Sequence, residues 1–133
     1  YRAKPYLCSA GVPTIGYGST FYAGGTKVTL QDSPTNQQIA NELLELTLNK
    51  IFIPGVLRAC PILINHPNKL GAIVSFAYNL GLGRLQSSTL RRKINVEDWE
   101  GAAQELLKWN LNLGKPSKGL IARREAEKEL FLH

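Results

Sequence analysis

A chain of 133 residues with 44% apolar and 20% charged residues has enough material for one domain with an ordinary core, and its composition excludes a disordered segment. Its apolar runs, such as residues 72–77, are too short to cross a bilayer, and no stretch reads as a signal peptide. The net charge of +6 favours an anionic partner: nucleic acid, acidic lipid or an anionic cell wall.

Residues 1–31 are rich in Gly, Tyr, Thr and Val and lack a helical period. Residues 9–13 read as a turn, and residues 14–19 alternate like a short strand with glycines where backbone passes closely. Residues 21–30 read as a hairpin end turning at Gly24-Gly25. The expectation is a small antiparallel sheet of two or three strands. From residue 35 the character changes. Thr35 with Gln38 fits a capping box, and Ile39, Leu43, Leu46 and Ile51 continue at helical spacing toward Pro54-Gly55. Residues 68–80 carry a wide apolar face on Leu70, Ile73, Val74, Ala77 and Leu80, which predicts a buried central helix broken by Gly81 and Gly83. A short basic helix is expected over 84–94. Asn95 is the expected N-cap of the next helix, which gathers Trp99, Ala102, Ala103, Leu106 and Leu107 on one side. Residues 110–118 read as a Gly/Pro loop. The last helix, about 119–131, is expected to bury Leu120, Ile121, Leu130 and Phe131 and to display Arg123, Arg124 and Lys128. The layout is α+β, with the strands gathered at one end.

Few constellations carry chemistry on spacing alone. Cys8 and Cys60 make no disulfide framework and are read as two thiols; His66 and His133 are isolated, so no metal site of ordinary spacing is present. Cys8 and Thr14 flank a turn, and a hairpin register brings both to one face. No serine sits in a G-x-S-x-G elbow. Residues 1–31 contain Arg2, Lys4 and Lys27 but no Asp or Glu; the first carboxylate is Asp32.

Three segments carry a resemblance. Residues 5–20 (PYLCSAGVPTIGYGST), residues 75–81 (SFAYNLG) with Ser88-Thr89-Leu90, and Trp109-Asn110, Gly119-Leu120 and residues 123–127 (RREAE) occur in that order. Together they resemble the phage lysozyme (endolysin, muramidase) family over essentially the whole chain. The resemblance implies a lysozyme-like α+β fold: one domain over 1–133, a small antiparallel β lobe to about 34, a mainly helical lobe over about 35–133, and a cleft between them. It implies a glycoside hydrolase that cuts the β-1,4 bond between N-acetylmuramic acid and N-acetylglucosamine in peptidoglycan and lyses bacteria. No cofactor, metal, nucleic acid partner or stable membrane insertion is implied, and a monomer is expected. Such a protein is phage-encoded, made in the host cytoplasm, active on the wall in the periplasm, and extracellular after lysis.

The family's active site is a Glu, then Asp or Cys, then Thr. By resemblance Cys8 and Thr14 take the last two positions, and the Glu falls ahead of Tyr1; with no methionine at the start, a preceding segment is expected to carry it. Glycoside hydrolysis needs an acid for the leaving oxygen and a group guiding water on the opposite side. Thr14 can orient water; Cys8 can orient water, act as a weak base or serve as a nucleophile. Cys8 departs from the alternative Asp, which opens its role. Glu42 and Glu45 read as solvent-facing, and Glu125, Glu127 and Glu129 as surface charges. Tyr17, Tyr78, Asn79 and Thr89 are candidate glycan contacts, since amphipathic rings, amides and hydroxyls suit sugars. One of Arg123 and Arg124 is implied to face the cleft and pair with the Glu; Arg124 is carried as the substrate-side candidate. Trp99 and Trp109 read as core. If the natural chain starts at Tyr1, the alternative is an inactive peptidoglycan-binding module. A nucleic-acid binder is disfavoured by scattered cations and the lack of a binding motif.

Overall fold

A computed structural model describes residues 1–8, 11–22, 26–112 and 114–133. The contacts group Tyr1–Lys50 and Ile51–His133 into two compact units.

In the first unit, β1 (Arg2–Leu7) pairs antiparallel with β2 (Pro13–Gly16), with Tyr6 opposite Thr14 and Leu7 opposite Pro13. A register irregularity lies between Arg2 and Tyr6. The strand stops at Gly16 because Gly16 and Gly18 take left-handed backbone, with φ +64° and +94°. The chain turns there and closes a bridge between Ile15 and Ser19. Phe21 bridges Lys27, as the hairpin expectation requires; its Gly24-Gly25 tip lies outside the described residues, as do Ser9 and Ala10 of the first turn. Helix α1 (Gln37–Thr47) packs on β2. Ile15, Val28, Ala40 and Leu43 form this core. The unit thus runs past the composition change at residue 34 to include the first helix.

The capping box is shifted by one residue. Asn36 is the N-cap of α1, its side chain accepting from the Ile39 amide at 2.9 Å. The helix also does not stop at Pro54. A π-type segment (Leu48–Phe52) leads into α2 (Ile53–Ala59), whose first turn holds Pro54. Proline has no N–H to give, and a wider turn before it avoids the lost i→i−4 bond.

The second unit is helical. After a 3₁₀ turn (Pro61–Asn65) comes α3 (Pro67–Leu80), bearing buried Ala72, Ile73, Val74, Phe76 and Ala77. It ends at Gly81 (φ +101°), as its glycines predict. The basic segment forms two helices, α4 (Leu82–Gln86) and α5 (Thr89–Asn95), separated because Ser88 caps α5 by accepting from the Arg91 amide. Asn95 is the last residue of α5 rather than a cap; Asp98 caps α6 (Trp99–Leu106) through Gly101. The expected loop at 110–118 contains a second small hairpin, β3 (Leu111–Asn112) with β4 (Lys115–Pro116), within the helical unit. Ser117 then caps α7 (Lys118–Leu132), which packs chiefly on α3. Each fully buried side chain such as Phe76, Leu85, Leu90 or Ile94 contributes roughly 1.5–3 kcal/mol.

Candidate active site

The β1–β2 hairpin brings Cys8 and Thr14 to one carbonyl. The Cys8 amide donates to the Val12 oxygen at 3.1 Å, and the Thr14 hydroxyl donates to the same oxygen at 2.8 Å. Thr14 is buried and Cys8 half-buried. With its proton committed to a carbonyl, the Thr14 oxygen is left to accept, so it can hold a water by that water's own proton. Tyr17 follows Gly16; its hydroxyl accepts from the Gln37 amide at the start of α1, and its ring lies 5.4 Å from that of Tyr1.

Asp32 is not shaped as a proton donor. Asp32 accepts from the Thr29 hydroxyl at 2.6 Å, the Thr29 amide at 2.8 Å and the Tyr22 hydroxyl at 2.7 Å. The Thr29 bonds, then Tyr22, hold its carboxyl below the ordinary range, the opposite of what a general acid needs. Burial, then the bond to Asp32 and its charge, push Tyr22 up to about 12. Glu42 and Glu45 are exposed, as expected.

In the helical unit, Tyr78 is half-buried and meets Phe52 edge-on at 5.2 Å, while Asn79 is exposed on the last turn of α3. Next to them opens a pocket of about 380 Å³ lined by Leu80, Arg84, Thr89, Glu105, Lys108, Trp109 and Leu111. Thr89 is exposed there, and its hydroxyl oxygen accepts from Arg92 at 2.8 Å. Trp109 is half-buried, edge-on to Phe76 at 5.5 Å, and Trp99 packs on Phe131. Both tryptophans therefore border the core rather than fill it.

The C-terminal charges depart most from expectation. Arg124 is fully buried, not displayed, and Glu127 is buried, not a surface charge. The Arg124 Nε lies 2.6 Å from one Glu127 oxygen, and an Arg124 terminal nitrogen donates to the other at 3.0 Å. The Arg124 guanidinium also lies 5.4 Å from the Phe76 ring centre. Burial lowers the Arg124 pKa from its ordinary value, opposed by Glu127. This arginine is used up in the interior because α7 lays that face against α3. Arg123 is the partly exposed one: it donates to Glu127 at 3.3 Å and to the Ser75 carbonyl at 3.1 Å. Ser75 in turn donates to Glu127. Sequence reading missed Ser75 and Glu127, whose pairing spans 52 residues, and the pocket residues Arg84, Glu105 and Lys108.

Cys8 and Cys60 are thiols. Burial pushes Cys60 up to about 11 against the pull of Arg91. Among the described residues no group of three or more His, Cys, Asp or Glu is placed to hold a metal ion, and no helix is long and apolar enough to cross a membrane.

Residues 1–127 match the phage lysozyme family. The chain belongs to that family. This phage lysozyme domain is 40% identical over 131 residues to the endolysin of Bacillus phage B103, covering 98% of this chain and 48% of that protein. It thus spans about half of that relative. It is 36% identical over 133 residues to the SAR-endolysin of bacteriophage PS119, covering 98% of this chain and 74% of that one. Among solved structures it is similar to the muramidase domain of SpmX from Asticaccaulis excentricus, with a TM-score of 0.77, 29% identity, and coverage of 99% of this chain and 87% of that one. The phage lysozyme domain has the lysozyme-like α+β fold expected from its sequence.

Proposed function

We propose that this chain is the catalytic domain of an endolysin that acts on bacterial peptidoglycan. Its bond is the β-1,4 link between N-acetylmuramic acid and N-acetylglucosamine. The observation that carries this reading is the family match over residues 1–127; Cys8 and Thr14, which the resemblance assigns to the active site, share one backbone carbonyl, and that supports it. Thr14 accepts a hydrogen bond from the attacking water and so orients its lone pair toward the anomeric carbon. Cys8, beside it, guides the same water or accepts its proton as thiolate. The acid that protonates the leaving oxygen is a glutamate carried ahead of Tyr1. Arg124 is enclosed and neutralised by Glu127, which leaves Arg123 as the partly exposed arginine of the pair. Tyr17, Tyr78, Asn79 and Thr89 contact glycan. Names of relatives such as SAR-endolysin support work at the wall.

The experiment uses a protein with that preceding segment joined to this chain. Loss of turbidity of peptidoglycan is measured for the parent, for the upstream Glu→Gln variant, and for Cys8→Ala and Thr14→Ala. The expected result is little activity in the Glu→Gln and Thr14→Ala proteins with folding unchanged. Full activity in the Glu→Gln protein refutes the acid. A neutral Cys8→Ala change makes Cys8 structural. Wall binding without release of reducing ends points to a binding module instead.

A further inference from the structure

We infer that Asp32 is a positioning residue for the active site: its carboxylate clasps the hairpin that follows β2 and so fixes the strand that carries Thr14. The inference rests on the peptidoglycan reading above and adds a residue to its machinery. The hairpin continues β2. Past Gly16 the chain closes on itself, with the Ile15 amide donating to the Ser19 carbonyl at 2.8 Å and the Ser19 amide returning the bond at 2.9 Å. The Val28 amide then donates to the Thr20 carbonyl at 2.8 Å, the Tyr22 amide to the Thr26 carbonyl at 2.9 Å, and Phe21 bridges Lys27. Val28 is buried together with Ile15, the neighbour of Thr14. A ladder this short is marginal in water without further support.

Asp32 supplies that support. One of its oxygens accepts from the Thr29 hydroxyl at 2.6 Å; the other accepts from the Thr29 amide at 2.8 Å and from the Tyr22 hydroxyl at 2.7 Å. Tyr22 lies on the first arm and Thr29 at the end of the second, so one carboxylate ties both. Bonds to an ionised acceptor are roughly twice as strong as neutral ones. The carboxylate is committed to this clasp alone. Among the described residues Asp32 makes no ion pair, Lys27 on the same hairpin makes none, and Tyr22 is the titratable group bonded to it. The chain that leaves the clasp runs directly to β1, where the Thr35 amide donates to the Ala3 carbonyl at 2.7 Å. The clasp therefore stands between the strand that leads into Cys8 and the strand that carries Thr14.

The test on this chain is amide hydrogen exchange, read residue by residue by NMR, in Asp32→Asn, which keeps the side-chain shape and removes the charge. The Ile15, Ser19 and Val28 amides are expected to exchange roughly tenfold faster, while Leu43 in α1 and Phe76 in α3 hold their rates. Glu45→Gln, an equal charge loss on α1, is expected to leave all five unchanged. Unchanged exchange at Ile15 and Ser19, or equal acceleration at Leu43, overturns the inference. The phenol of Tyr22 gives a second readout, since burial and then Asp32 push it up to about 12. Its phenolate absorbance, identified by its absence in Tyr22→Phe, should appear at lower pH in Asp32→Asn; an unmoved step overturns the inference too. In the protein with the preceding segment, Asp32→Asn is expected to lower kcat roughly three- to tenfold with KM unchanged, and Tyr22→Phe, which keeps both Thr29 bonds, to lose less. Full kcat in Asp32→Asn overturns the positioning role and leaves the catalytic reading standing. A parent that cuts no wall refutes the catalytic reading, and exchange at Ile15 and Ser19 still decides whether Asp32 fixes the strand.

Discussion

Replacing Glu127 with Gln tests the buried charge cluster between α3 and α7. One Glu127 oxygen accepts from Ser75, Arg123 and Arg124, and the other lies 2.6 Å from Arg124 Nε. Glutamine keeps the shape but removes the charge and turns an N–H₂ toward groups that themselves donate. Arg124, with no exposed surface, is then left as an uncompensated cation. Removing one partner of such a pair costs about 3–5 kcal/mol. The contact with half-exposed Arg123 adds at most about 1 kcal/mol. Against a total stability of about 5–15 kcal/mol this is a large fraction, and a domain of this size should lose roughly 10–15 °C in Tm. Urea unfolding followed by tryptophan fluorescence gives the free energy and its m-value. The double variant Arg124→Met with Glu127→Leu removes both charges together and is expected within about 2 kcal/mol of wild type. A Glu127→Gln protein within about 1 kcal/mol of wild type refutes the argument that Arg124 depends on this carboxylate.

Three further outcomes follow from local geometry. Gly16→Ala places a Cβ 3.1 Å from that of Ala40 on backbone with φ +64°, and should cost roughly 1–2 kcal/mol in denaturant unfolding; a neutral change shows that the turn can rearrange. The Gly101 amide, with help from Lys93, holds the Asp98 carboxyl below its ordinary 3.8. A lowered folded-state pKa gives stability that is present above 3.8 and lost as pH falls through the lower value. Tm should therefore drop more steeply below about pH 4 in wild type than in Asp98→Asn, which still caps α6 but cannot titrate. Cys60, buried and with its thiol pushed up to about 11, should resist thiol reagents at neutral pH until the protein unfolds; rapid native-state labelling at Cys60 contradicts its burial.

Much of the architecture is legible in the residues themselves. Glycines at 16, 18 and 81 mark where backbone must turn through positive φ, and they end β2 and α3 as their chemistry requires. The apolar spacing of residues 68–80 identifies the buried central helix, and residues 5–20 carry enough pattern to identify the family. Caps were read with less accuracy. Thr35 and Asn36 compete for one helix start and Asn95 and Asp98 for another, and in each pair the residue nearer the packed helix wins.

Tertiary structure alone decided the fate of the charges. Periodicity treats Arg124 and Glu127 as solvent-facing, because each is costly to bury singly. Packed together between α3 and α7 they neutralise one another, and Ser75, far away in sequence, completes the set. The pocket arises in the same way: Arg84, Thr89 and Lys108 carry no shared motif, and only the packing of α4 on α5 and of α5 on α6 places them on one rim. Local propensity acts between neighbours along the chain, whereas desolvation and charge pairing act between surfaces that meet only after folding.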